Sequence, residues 1–335
     1  MGILPFSAAK VPGVGYRTVR PRPGLRNGYI RKGRKTDVPP NREYWRVIRE
    51  LRKEDADAAA RIGIAVNPHR IETGELVWHR AGEPLQRDWV AEADGTVVGH
   101  AYAGLTAPGK GRFWIGVQPE QRSRGIGAEL YRTVEAHLGS AGASRLRTWV
   151  DGDPAGERFV RERGFELTGA DRVADVDPRA VDLARLPELE AGGLRLATLA
   201  ETLDRVEALF ERCRAGEVDL PDDLVEWKWD ELGHPNLSLE GSFAVLDGEQ
   251  PVSLGFLTVD PERRIAYNLL TATLPGYRRR GLALLVKLAT ARWAAANGIE
   301  RLLTENDREN IPMLELNDSL GYRALYDQGI WVLER

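Results

Sequence analysis

Two short stretches of this 335-residue chain carry residue types that could hold an anion. Gln121–Leu130 reads QRSRGIGAEL, and Tyr277–Val286 reads YRRRGLALLV. Each sets an arginine (Arg122, Arg278) three residues before a glycine (Gly125, Gly281), with a small residue (Gly127, Ala283) two further on. In the first, Pro119 removes a ladder donor and ends the strand-like run FWIGV. Helical spacing follows at once, with Ile126, Leu130, Val134 and Leu138 on one face. A turn that opens a helix aims several unpaired backbone N–H groups at one point, with the positive end of the helix dipole behind them. That is an anion seat suited to phosphate. Arg122 and Arg124 add charge to it, and Gly125 and Gly127 are expected to let the backbone approach the ligand. Arg278, Arg279, Arg280, Gly281 and Ala283 supply the same parts in the second stretch. A Walker A loop would need a Gly-Lys-Ser/Thr ending, which neither has. A dinucleotide fingerprint would need a third glycine where Glu129 or Leu284 stands.

The elements that must position these turns also occur twice. Superposing Gly125 on Gly281 gives an offset of 156 residues, which also pairs Pro119 with Pro275, Arg122 with Arg278 and Gly142 with Gly298. With one insertion, Gly164-Phe165 meets Gly321-Tyr322. Upstream, Asp94-Gly95 and Asp247-Gly248 each lie between β-rich runs, a strong hairpin signal. Each half reads as strand, helices, hairpin, strand, glycine turn, helix, strand, helix, strand. A period this long is a duplicated domain and not a solenoid. The expected division is an arm over 1–42, a first domain over 43–174, a linker over 175–193 punctuated by Pro178, Pro187 and Gly192-Gly193, and a second domain over 194–335.

Composition narrows the class. Cys213 is the one cysteine, which excludes an internal disulfide framework; a half-buried helical thiol, no metal site and a reducing, cytoplasmic setting are expected. No apolar run reaches membrane-spanning length, since Lys287 and Arg292 interrupt LALLVKLATARWAAA. Nine of the 47 Lys and Arg lie between Met1 and Thr36, a stretch with no acid, so the rest sets 38 basic against 50 acidic residues. Prolines and glycines break that arm, and it has no helical or repeated basic pattern. It is expected to pack on the acidic body of the chain, and nucleic acid is not expected as a partner.

The two loops resemble the signature of the GNAT N-acetyltransferases, Gln/Arg-x-x-Gly-x-Gly/Ala after the fourth strand. It is met by Arg122-Ser123-Arg124-Gly125-Ile126-Gly127, with Ala128 following, and by Arg278-Arg279-Arg280-Gly281-Leu282-Ala283. The resemblance covers roughly residues 43 to 335. It implies an α/β (α+β) chain of two tandem GNAT domains, each a mixed, mostly antiparallel sheet flanked by helices and split between strands four and five. The implied cofactor is acetyl-CoA, its pyrophosphate in the loops. Asn310 matches a cofactor-binding asparagine of the family, and Asp153 stands there in the first copy. The implied reaction is direct, base-assisted acetyl transfer to an amine of a small molecule, in a monomer or homodimer. A backbone N–H at the splayed strand would stabilise the oxyanion, with Val117 and Thr273 ending the relevant strands.

Departures from the family pattern shape the expectations about chemistry. Many members carry a Tyr four residues before the Gly-aromatic pair to protonate the departing thiolate; Val160 and Asn317 stand there instead. The base that must take a proton from the amine is sought among Asp223 and Glu226 in LPDDLVEWKWDELGH, where Asp230 shares a helical face and Trp227 and Trp229 are near, and Glu92 and His100 on the first hairpin. The alternatives are a degenerate acyl-CoA-binding module with a nucleic-acid-binding arm, or a protein N-acetyltransferase. The second copy is expected to be the catalytic one.

Overall fold

In the computed structural model, residues 47–83, 85–186, 193–214 and 233–335 are described. The basic arm and the acidic segment holding Asp223, Glu226 and Asp230 lie outside them, as does the Cys213 side chain.

The first copy runs β1 (Val47–Glu50), α1 (Ala56–Val66), α2 (Gly74–Ala81), β2 (Gln86–Ala93), β3 (Thr96–Ala107), β4 (Lys110–Val117), α3 (Ile126–Ser140), β5 (Arg145–Val150), α4 (Pro154–Arg161) and β6 (Glu166–Val176). The second repeats it as β7 (Arg195–Thr198), α5 (Leu199–Arg214), β8 (Phe243–Asp247), β9 (Gln250–Asp260), β10 (Ile265–Thr273), α6 (Leu282–Ala296), β11 (Arg301–Asp307), α7 (Ile311–Ser319) and β12 (Arg323–Glu334). Both Asp-Gly hairpins form: Asp94 and Gly95 have φ of 49° and 76°, and Ala93 pairs with Thr96. Positive φ at both central residues is what a type I′ turn requires, whereas in the second hairpin Asp247 pairs with Gln250 and Gly248 (φ 59°) is the first central residue.

The copies share one sheet. Its order is β1-β2-β3-β4-β5-β12-β6-β11-β10-β9-β8-β7, so each copy's last strand has crossed to the other. β12 pairs with β5 from Gly329↔Val150 to Glu334↔Arg145, and β6 pairs with β11 from Leu302↔Val176 to Asp307↔Asp171. The expected linker therefore begins inside β6, where Asp175 and Val176 still pair with β11.

The cores follow the exchange. Trp331 of β12 is buried with Phe113, Leu130 and Phe165 in the first core, while Ala174 and Val176 of β6 join Leu254, Phe256 and Leu285 in the second. The predicted face of α3 is inside, with Ile126, Leu130, Val134 and Leu138 all buried. No helix among the described residues is long and apolar enough to cross a membrane.

The two parallel pairs split soon after they begin. β4 meets β5 only from Lys110↔Arg145 to Arg112↔Arg147, and β10 meets β11 only from Ile265↔Arg301 to Asn268↔Thr304. An irregularity between Asn268 and Leu270 turns β10 away. Beyond the split, β10 pairs among the described strands with β9 alone, so its other edge faces the opening.

Candidate functional site

Both glycine turns are built as the spacing predicts. Short 3-10 turns at Pro119–Gln121 and Pro275–Tyr277 lead into Gly125 (φ 86°) and Gly281 (φ 81°), the residues that cap α3 and α6. A glycine offers no capping side chain to either helix, which leaves the first N–H groups for another acceptor. Gly125 is required by its left-handed backbone, and a Cβ added there meets no protein atom within 4 Å. At Gly127 an added Cβ would meet Phe159 at 3.5 Å, an ordinary contact. Ser123 (φ 62°) and Arg279 (φ 64°) share the same left-handed backbone two residues earlier.

The arginines differ in use between the copies. Arg122 Nε donates to Val117 O at 3.4 Å and Arg278 Nε to Thr273 O at 3.1 Å, fastening each loop to the end of its strand. In the first copy Nη1 of Arg122 also reaches Asp153 Oδ2 at 3.4 Å. Asp153 caps α4, accepting from Ala155 N, and its carboxylate offsets the charge the loop would offer a phosphate. Asn310 holds the corresponding cap of α7, accepting from Met313 N, and is neutral. Arg280 is turned aside, donating to Gly276 O and stacking over Tyr277.

A cavity of about 1020 Å³ opens on the second turn. Thr273, Arg278, Arg279, Gly281, Leu282, Ala283 and Asn310 all line it, whereas none of Arg122 to Ala128 does, nor Val117. Its inner wall follows the split between β10 and β11, with Tyr267, Asn268, Thr304 and Glu305. Lys287, one turn beyond the cradle on α6, also lines it. The opposite wall comes from the first copy: Asn67, Arg70, Glu72 and Arg80 from α1–α2, with Tyr102, Trp114 and Trp149 from its sheet. The α1–α2 loop is tied to the second copy. Arg263 donates to Arg70 O at 2.7 Å, Arg301 meets His69 at 2.9 Å, and Thr73 Oγ1 donates to Asn236 Oδ1 at 3.1 Å.

Charge divides the cavity. At the first-copy end Arg70 lies over Trp114 and Arg80 over Tyr102, both beside Glu72. Burial pushes the Glu72 carboxyl up, but the charges of Arg80 and Arg70 outweigh it and hold it below the usual carboxylate range. At the second-copy end Tyr267 donates to Glu305 Oε2 at 2.7 Å, and Asp171 and Asp307 line the same region. Burial raises Glu305 above the usual range, although the Tyr267 hydrogen bond opposes it.

The other expected residues lie elsewhere. His100 is 0% exposed, its Nε2 2.9 Å from Asp88 Oδ2, and neither residue lines the cavity. Glu92 is held by Arg49 at 3.0 Å on the outer hairpin. Val160 and Asn317 are buried, and Asn317 Nδ2 donates to Asn306 Oδ1 at 2.7 Å. Sequence reasoning missed Glu305, Tyr267 and Lys287. The available signal was position: Glu305 follows Thr304, the last residue of β11 that pairs with β10, so it stands where the two strands part.

Comparison with known proteins places this geometry. Residues 45–165 match the model of the acetyltransferase (GNAT) family. No curated protein matches the sequence significantly. Among solved structures, the chain is similar to a tandem GNAT protein from the clavulanic acid biosynthesis pathway, at 19% identity over 86% of this chain and 98% of that one, TM-score 0.65. It is also similar to a GCN5-related N-acetyltransferase from Sphaerobacter thermophilus (15% identity, 89% and 97% covered, TM-score 0.59). A third is a glucosamine N-acetyltransferase region of a fungal multi-domain β-N-acetylglucosaminidase (12%, 86% and 38%, TM-score 0.63). Residues 45–165 are therefore an acetyltransferase domain of the GNAT family, set in the fold of a tandem GNAT protein.

Proposed function

We propose that the protein moves an acetyl group from acetyl-CoA to an amine of a small molecule, and that the second copy does the chemistry. The observation that carries this reading is that the second turn, Thr273 and Asn310 open on one cavity while the first loop does not. The N–H groups at the start of α6, with Arg278 and Arg279, would hold the pyrophosphate. The chain beyond it would follow the split between β10 and β11, where the free edge of β10 offers N–H groups to the oxyanion.

Glu305 is the group best placed to take the proton of the incoming amine, directly or through water. Its neighbours Asp171 and Asp307 favour a cationic acceptor, and the arginine and aromatic wall opposite suits a group of the other sign. Two walls closing over the split favour a small acceptor over a protein chain. In the first copy the Arg122–Asp153 ion pair replaces a phosphate contact, which supports a structural role for that loop.

The test is a matched pair of variants. Gly281→Glu should abolish acetyl-CoA binding by calorimetry, because a carboxylate would sit in the phosphate seat, and Gly125→Glu should leave it intact. The reverse pattern would put the chemistry in the first copy. Consumption of acetyl-CoA against amines, polyamines and aminoglycosides then identifies the acceptor.

A further inference from the structure

The direct transfer proposed above leaves a thiolate that needs a proton, and the residue other family members use is missing here. Asn317 stands in its place, an amide with no proton to give, already bonded to Asn306. The inference below rests on that reading of the second copy.

Lys287 is the one ammonium group that α6 places against the cavity. It lies one turn past Ala283, is 2% exposed, and lines the cavity with Leu284 before it and Asn268 and Thr304 across the split. Among the described residues it makes no hydrogen bond and no ion pair; its ammonium lies over the Tyr322 ring, 5.4 Å from Nζ to the centroid. A buried lysine of this kind is costly, since an ammonium without a partner loses its hydration for nothing. A packing role would be met by leucine or methionine, so the amine itself needs an explanation. We propose that Lys287 is the general acid that protonates the departing thiolate of coenzyme A.

The step balances. The acceptor nitrogen forms its bond to the thioester carbonyl carbon, and the C–S pair leaves with sulfur. The ammonium of Lys287 then gives sulfur a proton, yielding the thiol. The proton lost by the acceptor nitrogen goes to Glu305 and returns to Lys287 through solvent, leaving both groups as they began. Burial lowers Lys287 to about 8, so its acidity approaches that of a thiol, the match that efficient proton transfer favours. The titratable group packed against it is Tyr322, which burial keeps protonated, and no described carboxylate faces the amine.

The full-length protein can be tested before the acceptor is known, with hydroxylamine as a small nucleophile that is largely unprotonated at neutral pH. Lys287→Met should bind acetyl-CoA within a few-fold of wild type, and cleave it about 100-fold more slowly, the lower end of general-acid effects. Wild-type cleavage should fall as pH rises through about 8, a limb absent in Lys287→Met and moved upward in Lys287→Arg. A second measurement needs no turnover. The ultraviolet absorbance of bound coenzyme A should show its thiol about tenfold less ionised in Lys287→Met, which has lost the adjacent cation. An unchanged rate, pH profile and thiolate fraction in Lys287→Met would overturn the assignment. So would acetyl-Lys287 in a peptide mass spectrum, which would make the lysine a nucleophile. Failure of wild type to bind acetyl-CoA would instead remove the reading on which this rests.

Discussion

Glu305 and Lys287 titrate in opposite directions for one physical reason: removal from water disfavours whichever form is charged. The base must be ionised and the acid protonated. Turnover should therefore rise with pH through a value above the usual carboxylate range and fall again through about 8. Stability responds to the same carboxyl. The folded protein holds the Glu305 proton more tightly than the unfolded chain does, so stability falls as pH rises from the usual carboxylate range through the raised value. Glu305→Gln keeps an acceptor for Tyr267 and removes that loss. It should melt above wild type at neutral pH while turnover with the identified acceptor drops about 100-fold; a variant both active and no more stable would contradict the role. The two glycine turns were legible because a turn and its helix lie within ten residues of one another. Glu305 was not, because Tyr267, Asp171 and Arg70 reach it from three distant parts of the chain.

Elements hold the cradle at its depth through a pair of glycines that the 156-residue offset also matches. Gly99 on β3 faces Ile126 and Leu130 of α3, and Gly255 on β9 faces Val286 of α6. An added Cβ at Gly99 would stand 3.0 Å from Leu130 Cδ1 and 3.1 Å from Ile126 Cγ2, while at Gly255 it would overlap Val286 Cγ1. Each helix can therefore lie close on its sheet only over glycine. Gly255→Ala should cost about 1–3 kcal/mol by denaturant titration, because a well-packed helix must lift away. Gly99→Ala should cost less, and equal costs would show that α6 tolerates displacement. The hairpins, the glycine turns and the order of elements were all readable from local spacing. Which strand lies beside which at the centre of the sheet was not, because β5, β6, β11 and β12 carry no sign of which copy they complete.

At the scale of the molecule, the exchanged strands bind the copies into one folding unit. With Trp331 in the first core and Val176 in the second, neither core is complete without residues from the other half. Calorimetry should give a single cooperative transition, and a fragment ending at residue 186 should aggregate or dimerise through the edge of β5. Two separated transitions, or a monomeric stable fragment, would show that the halves are independent. The crossing also sets a timetable for synthesis. Gln328 of β12 bonds Asp151, the residue after β5, across 177 positions of chain. The first copy leaves the ribosome early but stays one strand short, its slot between β5 and β6 open until β12 emerges. Domain-by-domain folding during translation is closed to this chain. The slowest step should be the late threading of β12 into a sheet already standing on both sides, a long-range closure during which a chaperone would find the exposed edges.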